Sequence, residues 1–149
     1  MKMKKLLRAF LLSNIAIASF LSANPAMAAS VSVNHHSTSS ILVADIKTKY
    51  VKDADENLDS ALKAMNNAAD AESDADAAEY FDNAMEHLKN AATALKKGGM
   101  GDSANKIENA IQAFNDAVDT DSEKQQDKLI EKAINSLNQV DEALKAAFN

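Results

Sequence analysis

The chain overlays on itself. Shifting Leu58–Lys96 by 49 residues lays it on Ile107–Lys145 without a gap. Eleven positions are then identical: Ala61/Ala110, Ala64/Ala113, Asn66/Asn115, Ala68/Ala117, Asp70/Asp119, Ser73/Ser122, Ala84/Ala133, Leu88/Leu137, Ala94/Ala143, Leu95/Leu144 and Lys96/Lys145. Most other core positions trade one apolar residue for another, as in Leu62/Ile111, Met65/Phe114, Phe81/Ile130 and Met85/Ile134. A gapless repeat of this length is one supersecondary unit written twice, and a unit that cannot bury its apolar face alone must pack on its copy.

The unit is helical. Ile46, Tyr50, Ala54, Leu58, Ala61, Leu62, Met65 and Ala68 recur at spacings of three and four, which line one face of an α-helix. Phe81, Ala84, Met85, Leu88, Ala91, Ala92 and Leu95 form a second stripe. Ile107, Ala110, Ile111, Phe114, Ala117 and Val118 form a third, and Ile130, Ala133, Ile134, Leu137, Val140, Leu144 and Ala147 a fourth. The breaks agree. Gly98, Gly99 and Gly101 follow Lys96 and Lys97, a basic last turn and a glycine stop. Asp102 or Ser103 is placed to cap the next helix, and Ser73 and Ser122 to cap the second and fourth, the latter with Gln125 completing a capping box. The pattern predicts an all-α fold: a four-helix up-down bundle of two duplicated αα-hairpins, about 45–98 and 102–149. Its alanine-rich core buries little area, so modest stability is expected, supplemented by weak homodimerisation if the monomer is not sufficient.

The N-terminus reads differently. Lys2, Lys4, Lys5 and Arg8 precede an apolar run from Ala9 to Leu21, then Pro25 and Ala26-Met27-Ala28. A basic segment, a short apolar run and an A-x-A site make residues 1–28 a signal peptide, with cleavage after Ala28 or Ala29 fitting equally. The run is too short to span hydrocarbon comfortably, so no stable membrane insertion is expected after cleavage. The expected address is the periplasm. Residues 29–44, rich in Ser, Thr and Asn, read as a flexible arm with a short extended piece at Ile41–Val43, and 45–149 as the bundle.

Charge narrows the partners. Four of the 16 basic residues and none of the 22 acids lie in the signal segment, leaving 12 Lys, no Arg and a net charge of −10. Nucleic acid is excluded by the lack of clustered Lys and Arg, and anionic lipid by repulsion. Metal ions, polyamines or a basic protein are the natural counter-charges. With no cysteine, thiolate metal sites, disulfides and Cys nucleophiles are excluded. No nucleophile elbow, zinc-protease motif or phosphate loop is present, so no enzyme is expected.

Candidate metal residues are few. His35 and His36 form an adjacent pair in the arm, a weak trap for a transition ion. His87 lies on the flank of the second helix, with Asn83, Ala84, Asn90 and Ala91 around it, so a metal there needs a ligand from another helix. Asp70, Glu72, Asp74 and Asp76 cluster in the first hairpin turn, and Asp116, Asp119, Asp121 and Glu123 in the second. Such oxygen-rich loops suit calcium or magnesium, although Ala75 and Phe81 stand where an EF-hand needs Gly and Glu. Acids at a helix start also serve the helix dipole alone. Haem between Met65, Met85 or Met100 and His87 is disfavoured, since those methionines suit core and loop roles.

The stretches LDSALKAMNNAADAESDADAAEYFDNAMEHLKNAATALKKGG and IENAIQAFNDAVDTDSEKQQDKLIEKAINSLNQVDEAL resemble the small metal-binding protein family of bacterial periplasms in the spacing of turns and Ala/Leu positions. The Glu86-His87 pair falls where that family has a similar pair. The resemblance implies a monomeric four-helix bundle binding divalent metals such as copper through surface histidines. Family members are densely studded with His along the helices, whereas here only His87 remains, and the corresponding faces carry Asn, Asp, Glu and Lys. The expected function is thus weak binding of a divalent ion (copper, nickel, zinc or calcium) through His87, His35, His36, Asp70, Glu72 and Asp74. The alternative is a helical interaction or stress-related protein that engages a basic protein partner without specific metal binding.

Overall fold

The structure, a computed structural model, describes residues 38–148 of the backbone and the side chains of residues 45–148. Four helices follow one another: α1 (Thr38–Asp70), α2 (Asp74–Lys97), α3 (Gly101–Asp119) and α4 (Glu123–Phe148). They form the expected all-α four-helix bundle. α1 packs on α2 and α3 on α4, giving the two hairpins, and α2 packs on α3. α1 and α4 approach each other less closely than any of these pairs.

The stripes read from the sequence become the core. Leu58, Met65, Phe81, Leu88, Leu95, Ile107, Phe114, Ile130, Leu137, Val140 and Leu144 are all buried, and alanines fill the gaps between them. Phe81 and Phe114 meet edge to face across α2 and α3, with ring centroids 6.4 Å apart and planes at 88°. Two stripe ends differ. Ile46 and Ala147 are exposed, and near the start of α1 the buried residue is Val51.

The arm expectation also changes. The chain is already helical from Thr38, so Ile41–Val43 is not extended. Once Val51 to Leu58 hold α1 against the core, each further residue adds a helical hydrogen bond without a new nucleation cost. Residues 1–37, with the signal peptide, the rest of the arm and the His35–His36 pair, lie outside the described residues.

The turns show why the hairpins form where they do. Ser73 caps α2: its Oγ accepts from the Asp76 N–H at 3.0 Å and donates to Asp76 Oδ2 at 2.6 Å. α2 ends in a Schellman turn, with Met100 N–H donating to the Leu95 carbonyl at 2.8 Å and Gly99 N–H to the Lys96 carbonyl at 3.2 Å. Gly99 has φ 77°, and Met100 packs against the core. Gly98 lies against α1, where an added Cβ would sit 3.3 Å from Tyr50 Cβ. Lys97 stands over the Tyr50 ring at 5.8 Å.

Neither Asp102 nor Ser103 caps α3. The helix starts two residues earlier than a cap at Asp102 would allow, at Gly101 after Met100 and with no side-chain cap, because the Schellman turn hands the chain straight into it. The turn before α4 departs from a capping box as well. The Ser122 carbonyl accepts from the N–H groups of Gln125 and Gln126, both at 2.9 Å. Gln125 Oε1, however, accepts from the Thr120 hydroxyl at 3.2 Å, and the Ser122 N–H is directed to that hydroxyl at 3.4 Å.

Candidate functional site

His87 is held by α1. Asn57 Nδ2 donates to the Asp53 carbonyl at 2.8 Å, which turns its Oδ1 toward the ring. His87 Nδ1 is 3.2 Å from that oxygen, a hydrogen bond when Nδ1 carries the proton. The partner from another helix is therefore an amide, a much weaker ligand than imidazole or carboxylate. The half-buried ring sits on the flank of α2, as its position in the stripe implies.

The acidic turn is only partly gathered. Asp70, Glu72 and Asp76 line an open polar cleft with Asn67, Ala71 and Tyr80, while Asp74 starts α2 outside that lining. Asp76 is engaged with Ser73, and both Asp74 and Asp76 lie in the first turn of α2, where negative charge is stabilised by the helix N-terminus. In the second turn Asp116 accepts from Gln112 at 2.7 Å. Among the described residues no group of three His, Cys, Asp or Glu is arranged to hold a metal ion. Of the expected ligands that lie among the described residues, only Asp70 and Glu72 share a cleft, without Asp74 in its lining and without His87.

The side chains that most need a partner are elsewhere, between α1 and α4. Asp55 is only 2% exposed, and its Oδ1 has no hydrogen-bond partner. Across the seam, Asp141 also has an unpartnered buried Oδ1, while its Oδ2 accepts from Lys145 at 2.8 Å near solvent. Burial, then repulsion from Asp59, Asp141 and Glu56, raises the Asp55 carboxyl above its ordinary value. Asp141 also lines a small apolar cavity with Leu58, Ala61, Leu62, Met65, Leu88 and Leu137; Asp55 lies one helical turn before Leu58, outside that lining. The cavity volume, about 10 Å³ as water would see it, is room for roughly one water molecule.

The duplication explains this seam. The 49-residue shift carries α2 onto α4 and α1 onto α3, so the α2–α3 seam and the α4–α1 seam are equivalent positions. Asp55 corresponds to Ala104, and Asp141 to Ala92, both buried. Phe81 and Phe114, the aromatic pair that fills the α2–α3 seam, correspond to Ile130 and Met65. Where the chain has alanines and two phenyl rings the helices close. Where it has two acids and slimmer side chains they stand apart and leave a cavity.

Chemically, two buried and unpartnered carboxylate oxygens beside hydrocarbon attract a proton or a cation. Neither residue stands out in the apolar stripes, because in a chain with 22 acids each looks like one more solvated carboxylate. The signal was the repeat itself: an acid aligned with an alanine of the core stripe, at Ala92 and Asp141. Comparison with family models, curated proteins and solved structures gives no match. Among the described residues no helix is long and apolar enough to cross a membrane.

Proposed function

We propose that the chain is an exported, non-enzymatic helical bundle of the periplasm that binds divalent cations weakly and collectively, through its anionic surface and without a preassembled metal centre. One observation carries the reading: beyond the signal segment 22 carboxylates stand against 12 lysines, so lysine cannot neutralise ten of them. Where lysines pair, as in Lys52–Glu56, Lys63–Asp59 and Lys96–Glu108, they do so at exposed positions and contribute little to holding the fold. A rigid scaffold bearing such an excess concentrates divalent ions, and hydrated ions need only one or two carboxylates.

Calorimetric titration with Cu²⁺, Ni²⁺, Zn²⁺ and Ca²⁺ at low and physiological salt tests this, beside a His87→Ala variant. The expected result is millimolar, salt-sensitive binding that the substitution leaves unchanged. Micromolar copper binding lost in the variant replaces the surface reading with a dedicated histidine site. No binding even at low salt refutes it.

A second reading, a basic protein partner, is favoured by Tyr80, an exposed aromatic in the lining of the cleft formed with Asp70, Glu72 and Asp76. An aromatic face beside carboxylates suits a lysine or arginine side chain. Micromolar binding of a lysine-rich peptide, weakened by Tyr80→Ala, would carry that reading over the first.

A further inference from the structure

We propose that the seam between α1 and α4 binds a small primary alkylammonium ion, its head set against Asp55 and Asp141 and its methylenes against Leu58, Leu62 and Leu137. The proposal goes beyond the surface reading and does not rest on it. It stands on two buried carboxylate oxygens without partners, one from each hairpin, and on the apolar cavity that Asp141 lines with Leu58, one turn along α1 from Asp55.

The chemistry of the seam selects the ligand. To enter this seam a divalent ion would have to shed most of its water, and two carboxylates do not replace that oxygen shell where, apart from Asp141, the cavity lining is hydrocarbon. The charged neighbours leave the deficit in place. Asp59 and Glu56 on α1 add negative charge, and Lys145 on α4 is committed to the outer oxygen of Asp141 with its side chain half exposed. A primary ammonium carries three N–H donors, enough to serve both free oxygens. A short alkyl chain then finds the cavity that begins at Leu58, one helical turn along α1 from Asp55. The cavity has room for about one water, so the ligand must part α1 from α4. That is the pair of neighbouring helices already least closely packed.

The alanine seam shows what an unliganded structural role would look like. At the equivalent positions, Ala92 and Ala104 bury no charge, so a bundle needs no acids there to form. A free small amine is the source this seam favours, because it parts the helices by the width of one alkyl chain, whereas a lysine side chain presented by a folded partner brings the partner's backbone to the same narrow seam.

The test is thermal denaturation and methyl-resolved NMR of the purified protein with n-butylammonium chloride, beside tetramethylammonium chloride at equal ionic strength. The expected result is a rise in Tm with n-butylammonium beyond that with tetramethylammonium, together with shifts of the Leu58 and Leu137 methyl signals. Affinity should fall at least tenfold in Asp55→Asn and in Asp141→Asn, and hold in Asp82→Asn, which removes an exposed charge on α2. An equal rise with both salts, an undiminished effect in Asp55→Asn, or no effect in the native protein overturns the proposal. Each of those results leaves the divalent-ion titration to decide the surface reading separately.

Discussion

Replacing Asp55 with alanine should make the protein more stable. The side chain is buried, its Oδ1 has no partner, and leaving a buried polar group unsatisfied costs about 1–3 kcal/mol. Alanine is the residue the second hairpin carries at the same place, Ala104, fully buried in the closed seam. It is also the better helix former, by up to about 0.7 kcal/mol. The expected gain at pH 7 is therefore about 1–3 kcal/mol, or roughly 4 °C in Tm for each kcal/mol in a domain near this size. Urea denaturation followed by circular dichroism measures it, with an unchanged m-value showing that the same surface is exposed. The pH dependence gives the sign a second check. Burial and the neighbouring acids raise the folded carboxyl above its unfolded value of 3.8, so the folded state holds its proton to higher pH than the unfolded one. The native protein then gains stability from this group as pH falls through the raised folded value, and the gain is complete below about 3.8. The advantage of the variant should be largest near neutrality and shrink on acidification. A variant less stable at pH 7, or an advantage that does not change with pH, refutes the account of the seam.

Three further substitutions probe the frame. Gly99→Ala forces a side chain into a backbone with φ 77° and should cost about 1 kcal/mol, read as a lower urea midpoint. Phe114→Ala removes a buried ring and its edge-to-face partner contact with Phe81 and should cost about 3–5 kcal/mol, enough that thermal denaturation shows partial unfolding at room temperature. Ser73→Ala deletes the acceptor for the Asp76 N–H and should cost about 1 kcal/mol, with loss of amide-exchange protection confined to the first turn of α2.

Much of the bundle was legible because its information is redundant. The spacing of Phe81, Met85, Leu88 and Leu95 and that of Ile107, Ile111 and Phe114 each name a helix, and the repeat says how the helices pair. What local pattern misses is what depends on neighbours far away in sequence. Thr38 to Ala44 reads as an arm because its composition is polar and β-branched, yet a helix already docked propagates through it. Asp102 has the chemistry of a cap, but the turn from Gly98 to Met100 delivers the chain to the helix before the cap position is reached. His87 was correctly placed on a flank, while its Asn57 partner, 30 residues away, was beyond any local reading. Asp55 and Asp141 were hardest, since burial depends on which seam closes, and that is decided by residues on all four helices.

Having the same interface twice frees one copy from the work of holding the molecule together. Phe81, Phe114, Ala92 and Ala104 make one interface tight, and across it the two hairpins pack together. The second copy carries charge instead, with Asp55 and Asp141 where the first has Ala104 and Ala92. A sequence that repeats itself thus builds one contact twice, once closed with phenyl rings and alanines and once left charged.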